Sequence, residues 1–196
     1  EVKMHRILAI NPGSTSTKIA LYEDENPVFV ESIRHSADEL SKFDDYRDQY
    51  RFRADIIRRV LKEKGIDERT LSAVVGRGGP FKPLSSGTYA VNEAMKRDVR
   101  EGNVQADHIS NIGCLLASDI AEPLGIPAFI VDPVSVDEFD DVARISGHPE
   151  ITRRSLGHAL NIKMVAKKFA KQVGKPYEEM NLVIAHLGGG ISISSH

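Results

Sequence analysis

The sequence predicts an α/β domain whose mixed sheet opens with three antiparallel strands and has helices on both faces, followed by the start of a second, similar domain. Three features lead to this expectation. Strand-like segments fill the first 33 residues, with too few residues between them for a stable helix. The uninterrupted apolar run at 126–131 suits a strand buried in a largely parallel sheet. Finally, the segment at 182–194 repeats the strand, turn and strand pattern of residues 7–21.

Length and composition restrict the class of protein. A chain of 196 residues can bury one core, or form one domain and part of another. The formal net charge of −2 gives no reason to expect nucleic acid or an anionic membrane as a partner. No apolar stretch approaches a membrane span and no signal-peptide core is present, so a cytoplasmic location is expected by default. The single cysteine, Cys114, falls in an apolar helical pattern and is expected in the core.

The first hairpin, at 7–21, is the strongest indication of a binding site. Pro12 and Gly13 tighten its turn, Gly13 lets the backbone approach a ligand, and Lys18 adds a fixed positive charge. Hydroxyl and amide groups for anionic oxygens come from Ser14, Thr15, Ser16 and Thr17. The commoner phosphate loop needs a second glycine and a following helix, and both are absent here. The segment is either a phosphate-binding hairpin or an ordinary hairpin with a polar turn.

The middle of the chain reads as alternating helices and strands. A third strand is expected at 28–33, and a capping box at 36–39 opens a long amphipathic helix, broken once, that reaches Gly65. Short strands are expected at 73–75 and 88–91, and a helix at 93–101. The basic residues of the long helix alternate with acids, which indicates a solvated face: Arg51, Arg53, Arg58, Arg59, Lys62 and Lys64.

The last third of the chain begins with a helix from His108 that ends at Pro123 and Gly125, before the strand at 126–131. A further helix is expected at about 153–173. Its core-facing residues would be Leu156, Leu160, Met164 and Phe169. A strand at 182–185 then enters a glycine turn and a last strand at 191–194.

Asn11 and His186 hold the same position in the two hairpins, 175 residues apart (186 minus 11). Two phosphate-binding hairpins suggest two similar domains facing each other across a nucleotide cleft. We therefore expect a first domain at 1–175 and the first hairpin of a second domain at 176–196. The chain would then be an amino-terminal part of a longer protein. The alternative is a chance similarity of two short turns.

Three residues are candidates for catalysis. Arg77 lies in a Gly-Arg-Gly-Gly turn after a strand, where its guanidinium would be accessible to a carboxylate or phosphoryl group; the alternative is a surface arginine. Asp132 ends the apolar strand and could present its carboxylate to a metal or substrate, or be a turn residue. His158 follows Arg-Arg-Ser-Leu-Gly, and a structural histidine is the alternative there.

With these residues identified, the whole chain resembles the acetate and butyrate kinase family, whose fold is that of the ribonuclease H-like, actin-like ATPases. The segment 11–18 resembles the first phosphate motif of the family and 186–192 the second. The segment 153–158 is similar to the motif whose histidine helps to hold the transferring phosphoryl group, and Asp132 falls at an acidic active-site position. The residues after His158, and Arg77 in place of a histidine, favour the butyrate branch.

The resemblance implies reversible phosphoryl transfer between ATP and a short-chain carboxylate such as butanoate, giving ADP and an acyl phosphate. It implies catalytic roles for Arg77, Asp132 and His158, with Asp132 placing Mg²⁺ or the carboxylate. It also implies a homodimer or larger assembly. The residues that would face the nucleotide phosphates are Asn11, Gly13, Ser14, Ser16, Lys18, His186, Gly188, Gly189 and Gly190.

Other functions remain open. The chain could belong to a nonenzymatic nucleotide-binding member of the same superfamily, which needs only the two hairpins. It could also be a kinase for acetate, propionate or a branched-chain acid. We expect these 196 residues alone to bind nucleotide poorly and to turn over nothing.

Overall fold

The structure, a computed structural model, describes residues 4–188 and 191–195 and contains a six-stranded mixed sheet in the order β3-β2-β1-β4-β6-β5. β1, β2 and β3 form an antiparallel meander, β4 and β6 run parallel to β1, and β5 pairs antiparallel with β6. The strands are β1 (Arg6–Pro12), β2 (Ser16–Glu23), β3 (Asn26–Arg34), β4 (Ala73–Gly76), β5 (Thr88–Ala90) and β6 (Ala128–Val131). The mixed α/β fold with three antiparallel strands at the amino terminus is confirmed.

The described part of the chain contains five α-helices: α1 (Ala37–Leu40), α2 (Gln49–Glu63), α3 (Glu93–Glu101), α4 (Gly113–Ala121) and α5 (Ala159–Val173). The expected capping box is present at α1, where the Ser36 hydroxyl accepts from the Glu39 amide at 3.2 Å and the Glu39 carboxylate accepts from the Ser36 amide at 2.8 Å. The long helix is broken between α1 and α2, as expected. No helix in the described ranges is both long and apolar enough to cross a bilayer.

The core lies between one face of the sheet and helices α2 and α4. Leu8, Ile10 and Val74 alternate with less buried residues along β1 and β4, and all three are at most 2% exposed. Helix α4 approaches β4 unusually closely, because a Cβ on Gly76 would lie 2.1 Å from the carbonyl oxygen of Gly113. Only a glycine pair permits this contact, and it fixes the end of β4 where the chain enters Arg77.

Helix α5 begins later than the sequence predicts, and one expectation about its core-facing side is wrong. Residues 153–158 are not helical, and two of their amides bind carbonyls outside the segment: Arg153 donates to Arg144 at 2.8 Å and Gly157 to Val134 at 3.1 Å. The buried positions on α5 are Ala166 and Ala170. Three of the four residues predicted for the core are exposed, by 42–57%: Leu156, Met164 and Phe169.

The end of the chain forms a separate two-stranded antiparallel sheet, β7 (Val183–Leu187) and β8 (Ile191–Ser195). The predicted second hairpin is therefore a strand pair, with His186 opposite Ser192. The predicted phosphate contacts at Gly189 and Gly190 lie outside the described residues. The division into domains at 175 and 176 stays a prediction.

Candidate active site

A cleft of about 420 Å³ opens where β1, β4 and β6 end and α5 begins. Polar residues from four distant parts of the chain line it: Asn11 at the end of β1, Arg77 after β4, Asp132 after β6, and His158 and Asn161 around the start of α5. The carboxyl ends of parallel strands meet at one edge of a sheet, which brings the first three together. Apolar atoms of Val134, Leu160 and Met164 form another part of the wall.

Arg77 is held at this edge by its backbone and its side chain. Its amide donates to the carbonyl of Ile10 at 2.8 Å, and its Nη1 donates to Oδ1 of Asn11 at 3.3 Å. The neighbouring glycines have a packing role that the sequence did not reveal. A Cβ on Gly78 would lie 2.4 Å from Cβ of Pro133, and one on Gly79 would lie 2.1 Å from Oδ1 of Asn111. Close packing therefore requires these glycines.

Asp132 occupies the left-handed backbone region, with φ of 37°, which aspartate tolerates better than most residues. Its Oδ1 accepts from the Ser86 hydroxyl and from the Gly87 amide, both at 2.8 Å. The Ser86 hydroxyl in turn accepts a hydrogen bond from Nζ of Lys163 on α5. The carboxylate is thus a turn residue and also faces the cleft, in a fixed orientation.

His158 stacks on His186, with ring centroids 4.2 Å apart and an angle of 28° between the rings. This contact links the cleft, which His158 lines, to the second hairpin, which contains His186. Partial desolvation, followed by the nearby His186, Arg77 and His108, lowers the pKa of His158. The ring is solvent-exposed and neutral at pH 7.

The remaining predicted contacts lie around the first hairpin. Ser14 is exposed in the turn and Ser16 begins β2, while the amide of Gly13 donates to the Ser16 carbonyl at 2.7 Å. Lys18 is exposed and lies opposite Asn11 in the strand ladder, so both side chains are on the same face of the sheet. Gly188 is exposed after β7.

The sequence did not reveal the residue behind this turn. Arg53 was expected on a solvated helix face, and that expectation is wrong, because its side chain is 0% exposed. It lies on α2 and donates hydrogen bonds to the carbonyls of Gly13 and Ser16 at 2.8 and 3.1 Å. An amphipathic pattern places an arginine on the polar side of a helix, and a contact made 40 residues away along the chain leaves no local signal.

The donor set for a metal ion is small. Within residues 4–188 and 191–195, no three His, Cys, Asp or Glu side chains are grouped so that they could hold one. Asp132 is the carboxylate of the cleft. Mg²⁺ is often bound by one or two carboxylates together with substrate phosphates and water, so this arrangement fits an ion that arrives with a nucleotide.

Comparison with known proteins identifies relatives along nearly the whole chain. It is 53% identical to "Butyrate kinase 1" of Clostridium acetobutylicum over 193 residues, 98% of this chain and 54% of that protein. It is 51% identical to a "Probable butyrate kinase" of Listeria monocytogenes over 190 residues, 97% of this chain and 53% of that protein. This chain is a homologue of the butyrate kinases. This chain spans about half the length of the curated relatives it matches. No family model matches it.

Solved structures of other proteins confirm the fold of this chain. An acetate kinase of Porphyromonas gingivalis matches with a TM-score of 0.70 and 15% identity, covering 97% of this chain and 54% of that one. A propionate kinase of Francisella tularensis matches with a TM-score of 0.63 and 16% identity, covering 98% of this chain and 54% of that one. At this identity the likeness shows the fold alone, which this chain shares with these acetate and propionate kinase structures.

Proposed function

We propose that this chain forms part of an ATP-dependent kinase that phosphorylates a short-chain carboxylate, with butanoate as the acceptor. A carboxylate oxygen would form a bond to the γ-phosphorus of ATP, the bond from that phosphorus to the bridging oxygen would break, and ADP would leave. The observation that carries this proposal is the convergence of Asn11, Arg77, Asp132 and His158 on one cleft. The identity to proteins named butyrate kinase supports the choice of acceptor.

This chemistry needs positioning and charge neutralisation more than covalent help. The carboxylate acceptor is ionised at neutral pH, so no base is needed to activate it. Arg77 offers a planar fork of donors, and its bond to Asn11 directs that fork toward the cleft. We assign it to the oxygens of the transferring phosphoryl group. His158, neutral and held by His186, would donate one further hydrogen bond there from a ring N–H.

The nucleotide phosphates would lie against the turn of the first hairpin, with Asn11, Gly13, Ser14, Ser16 and Lys18 on one side. His186 and Gly188 would approach from the second hairpin. Mg²⁺, when bound, would neutralise phosphate charge, and Asp132 would supply its protein carboxylate. The orientation of this carboxylate is set by Ser86 and Gly87 before any ion arrives. We also propose, from the family resemblance, a cytoplasmic homodimer or larger assembly.

Hydroxamate trapping of acyl phosphate tests the proposal. The protein at its full natural length would be incubated with MgATP and, in parallel, with butanoate, propionate, acetate and isobutyrate. We expect the highest kcat/KM with butanoate. Nucleotide binding without any acyl hydroxamate would instead identify a nonenzymatic nucleotide-binding protein, and a preference for another acid would replace butanoate as the acceptor.

A further inference from the structure

The contacts of the Arg53 side chain with the turn of the first hairpin suggest how the turn is preorganised to bind a ligand. We propose that Arg53 is a positioning residue, whose guanidinium holds the carbonyl groups of the turn and thereby aims the amides of Ser14 and Thr15 at a nucleotide phosphate. This inference rests on the proposed function only in taking the ligand of the hairpin to be a nucleotide.

Arg53 contacts several acceptors of the first hairpin at once. Its Nη1 donates to the carbonyl oxygens of Gly13 at 2.8 Å and Ser16 at 3.1 Å, and its Nη2 donates to that of Ser14 at 3.3 Å. Nη1 also donates to the Thr17 hydroxyl at 3.0 Å. One buried side chain therefore binds acceptors from four residues of the turn and the start of β2, which a planar fork of donors can do and a single ammonium group cannot.

The amides of the same peptide groups lie on the side opposite Arg53. In a trans peptide the carbonyl and the following amide point in opposite directions. Because the carbonyls of Gly13 and Ser14 point toward Arg53, the amides of Ser14 and Thr15 point away from it. Within the described part of the chain, neither amide donates to another protein group. Two adjacent free amides in an exposed turn form a concave site that suits an anion.

Arg53 also carries a buried positive charge. Burial lowers the pKa of Arg53 to about 10, so the side chain stays protonated at neutral pH. Its partners are carbonyls, the Thr17 hydroxyl and the side-chain amide of Gln49, whose Oε1 accepts from Nη2 at 2.8 Å and from Nε at 3.2 Å. Among the described residues no carboxylate lies within ion-pair distance of it. A buried cation without an anion is costly, and a phosphate on the far side of the turn would offset part of that cost.

The test compares nucleotide affinity between variants of the full-length protein, with MgADP as the probe in calorimetric titrations. Arg53→Met should weaken MgADP binding by about tenfold or more, which is about 1.4 kcal/mol. Arg53→Lys, which keeps the charge but not the fork, should recover only part of that loss. The KM for butanoate should change by less than about threefold. A general loss of structure would instead raise both the dissociation constant for MgADP and the KM for butanoate.

Arg58 supplies a matched control on the same helix. It donates to the carbonyl oxygen of Asp119 at 2.6 Å and forms an ion pair with the Asp119 carboxylate at 2.9 Å, far from the hairpin. Arg58→Met should therefore lower thermal stability while leaving MgADP affinity at the wild-type value. Equal affinities for Arg53→Met and wild type would overturn the inference, as would an equal loss in Arg58→Met.

Two further measurements decide the matter if the Arg53 variants do not fold. Gln49→Leu removes two hydrogen bonds from the guanidinium without touching the turn, and it should weaken MgADP binding by about threefold. In the wild type, addition of MgADP should slow hydrogen exchange at the amides of Ser14 and Thr15. Unchanged exchange at both amides, or unchanged affinity in Gln49→Leu, would refute the proposal.

The outcomes also separate this inference from the proposed function. If the wild type binds MgADP but forms no acyl hydroxamate, the proposed kinase activity fails, and the Arg53 series still decides the inference. If the wild type forms acyl hydroxamate and Arg53→Met retains full MgADP affinity, the inference fails and the kinase stands.

Discussion

The contact between α4 and β4 determines where Arg77 lies, and Gly113 is the residue that permits the contact. A Cβ at Gly113 would lie 2.0 Å from the carbonyl oxygen of Arg77 and 3.2 Å from its nitrogen. Both are backbone atoms, so no rotamer change relieves the overlap. The Arg77 amide is also bound to the Ile10 carbonyl at 2.8 Å. Gly113→Ala therefore has to displace the helix or the strand end by roughly 1 Å or more.

The size of the effect follows from two opposing terms. Overpacking a close contact costs about 1–3 kcal/mol, whereas alanine is favoured over glycine inside a helix by about 1 kcal/mol. Because this overlap is between backbone atoms, we expect the upper end, a net loss of about 2 kcal/mol and a Tm lower by roughly 4–8 °C. A displacement of about 1 Å at Arg77 should lower acyl phosphate formation by about 100-fold.

The assay pairs thermal unfolding with hydroxamate trapping on the full-length variant. Gly147→Ala is the matched control, because a Cβ there meets nothing within 4 Å. It should change neither the Tm nor the turnover. If Gly113→Ala kept the wild-type Tm and kcat, or if Gly147→Ala were equally impaired, the idea that the α4–β4 contact positions Arg77 would be refuted.

Three other predictions follow from single side chains. Asp132→Asn keeps acceptors for Ser86 and Gly87 but loses the charge, so acyl phosphate formation should fall by roughly 100-fold in steady-state assays with the Tm nearly unchanged; retained activity over a Mg²⁺ titration would contradict its role. The pKa of His35 is lowered to about 4, mainly by burial and then by the charge of Arg53, while Glu39 has a smaller opposing effect. As the pH falls, His35 is therefore protonated in the unfolded chain before it is protonated in the folded protein. The contribution of neutral His35 to the free energy of unfolding should be fully present above pH 6.5 and should fall by up to about 3 kcal/mol toward pH 4, as measured by urea unfolding. His35→Gln should make the free energy of unfolding less dependent on pH in this range. Burial raises the pKa of the fully buried Cys114 to about 12, so a thiol reagent should modify it only after denaturation, and rapid labelling of the native protein would contradict its place in the core.

Local patterns predicted much of the fold. Alternation of apolar residues at 7–21 and 28–33 indicated the antiparallel strands, and the Ser36 and Glu39 pair indicated the start of a helix. The strand ends also predicted which residues share the cleft. Arg77 and Asp132 each follow a parallel strand, and the carboxyl ends of such strands meet at one edge.

Contacts between distant segments had no local signal. Arg53 sits in a helix pattern that favours a solvated face, and its burial depends on carbonyl acceptors in a turn 40 residues earlier. The sequence pattern predicts too early a start for α5, because helix-like apolar spacing continues into 153–158, whereas distant carbonyls bind the amides of Arg153 and Gly157. Lys163, which reaches Ser86 behind Asp132, was likewise visible only in the structure.

The proposed function requires that the cleft around Arg77 transfers a phosphoryl group from ATP to a carboxylate. The most direct test follows butyryl phosphate by ³¹P NMR with the full-length wild type and Arg77→Met, at saturating MgATP and butanoate. We predict ready formation by the wild type and a rate at least about 100-fold lower in the variant, with MgADP affinity little changed. Butyryl phosphate formed at the wild-type rate by Arg77→Met, or none formed by a wild type that binds nucleotide, would contradict the claim.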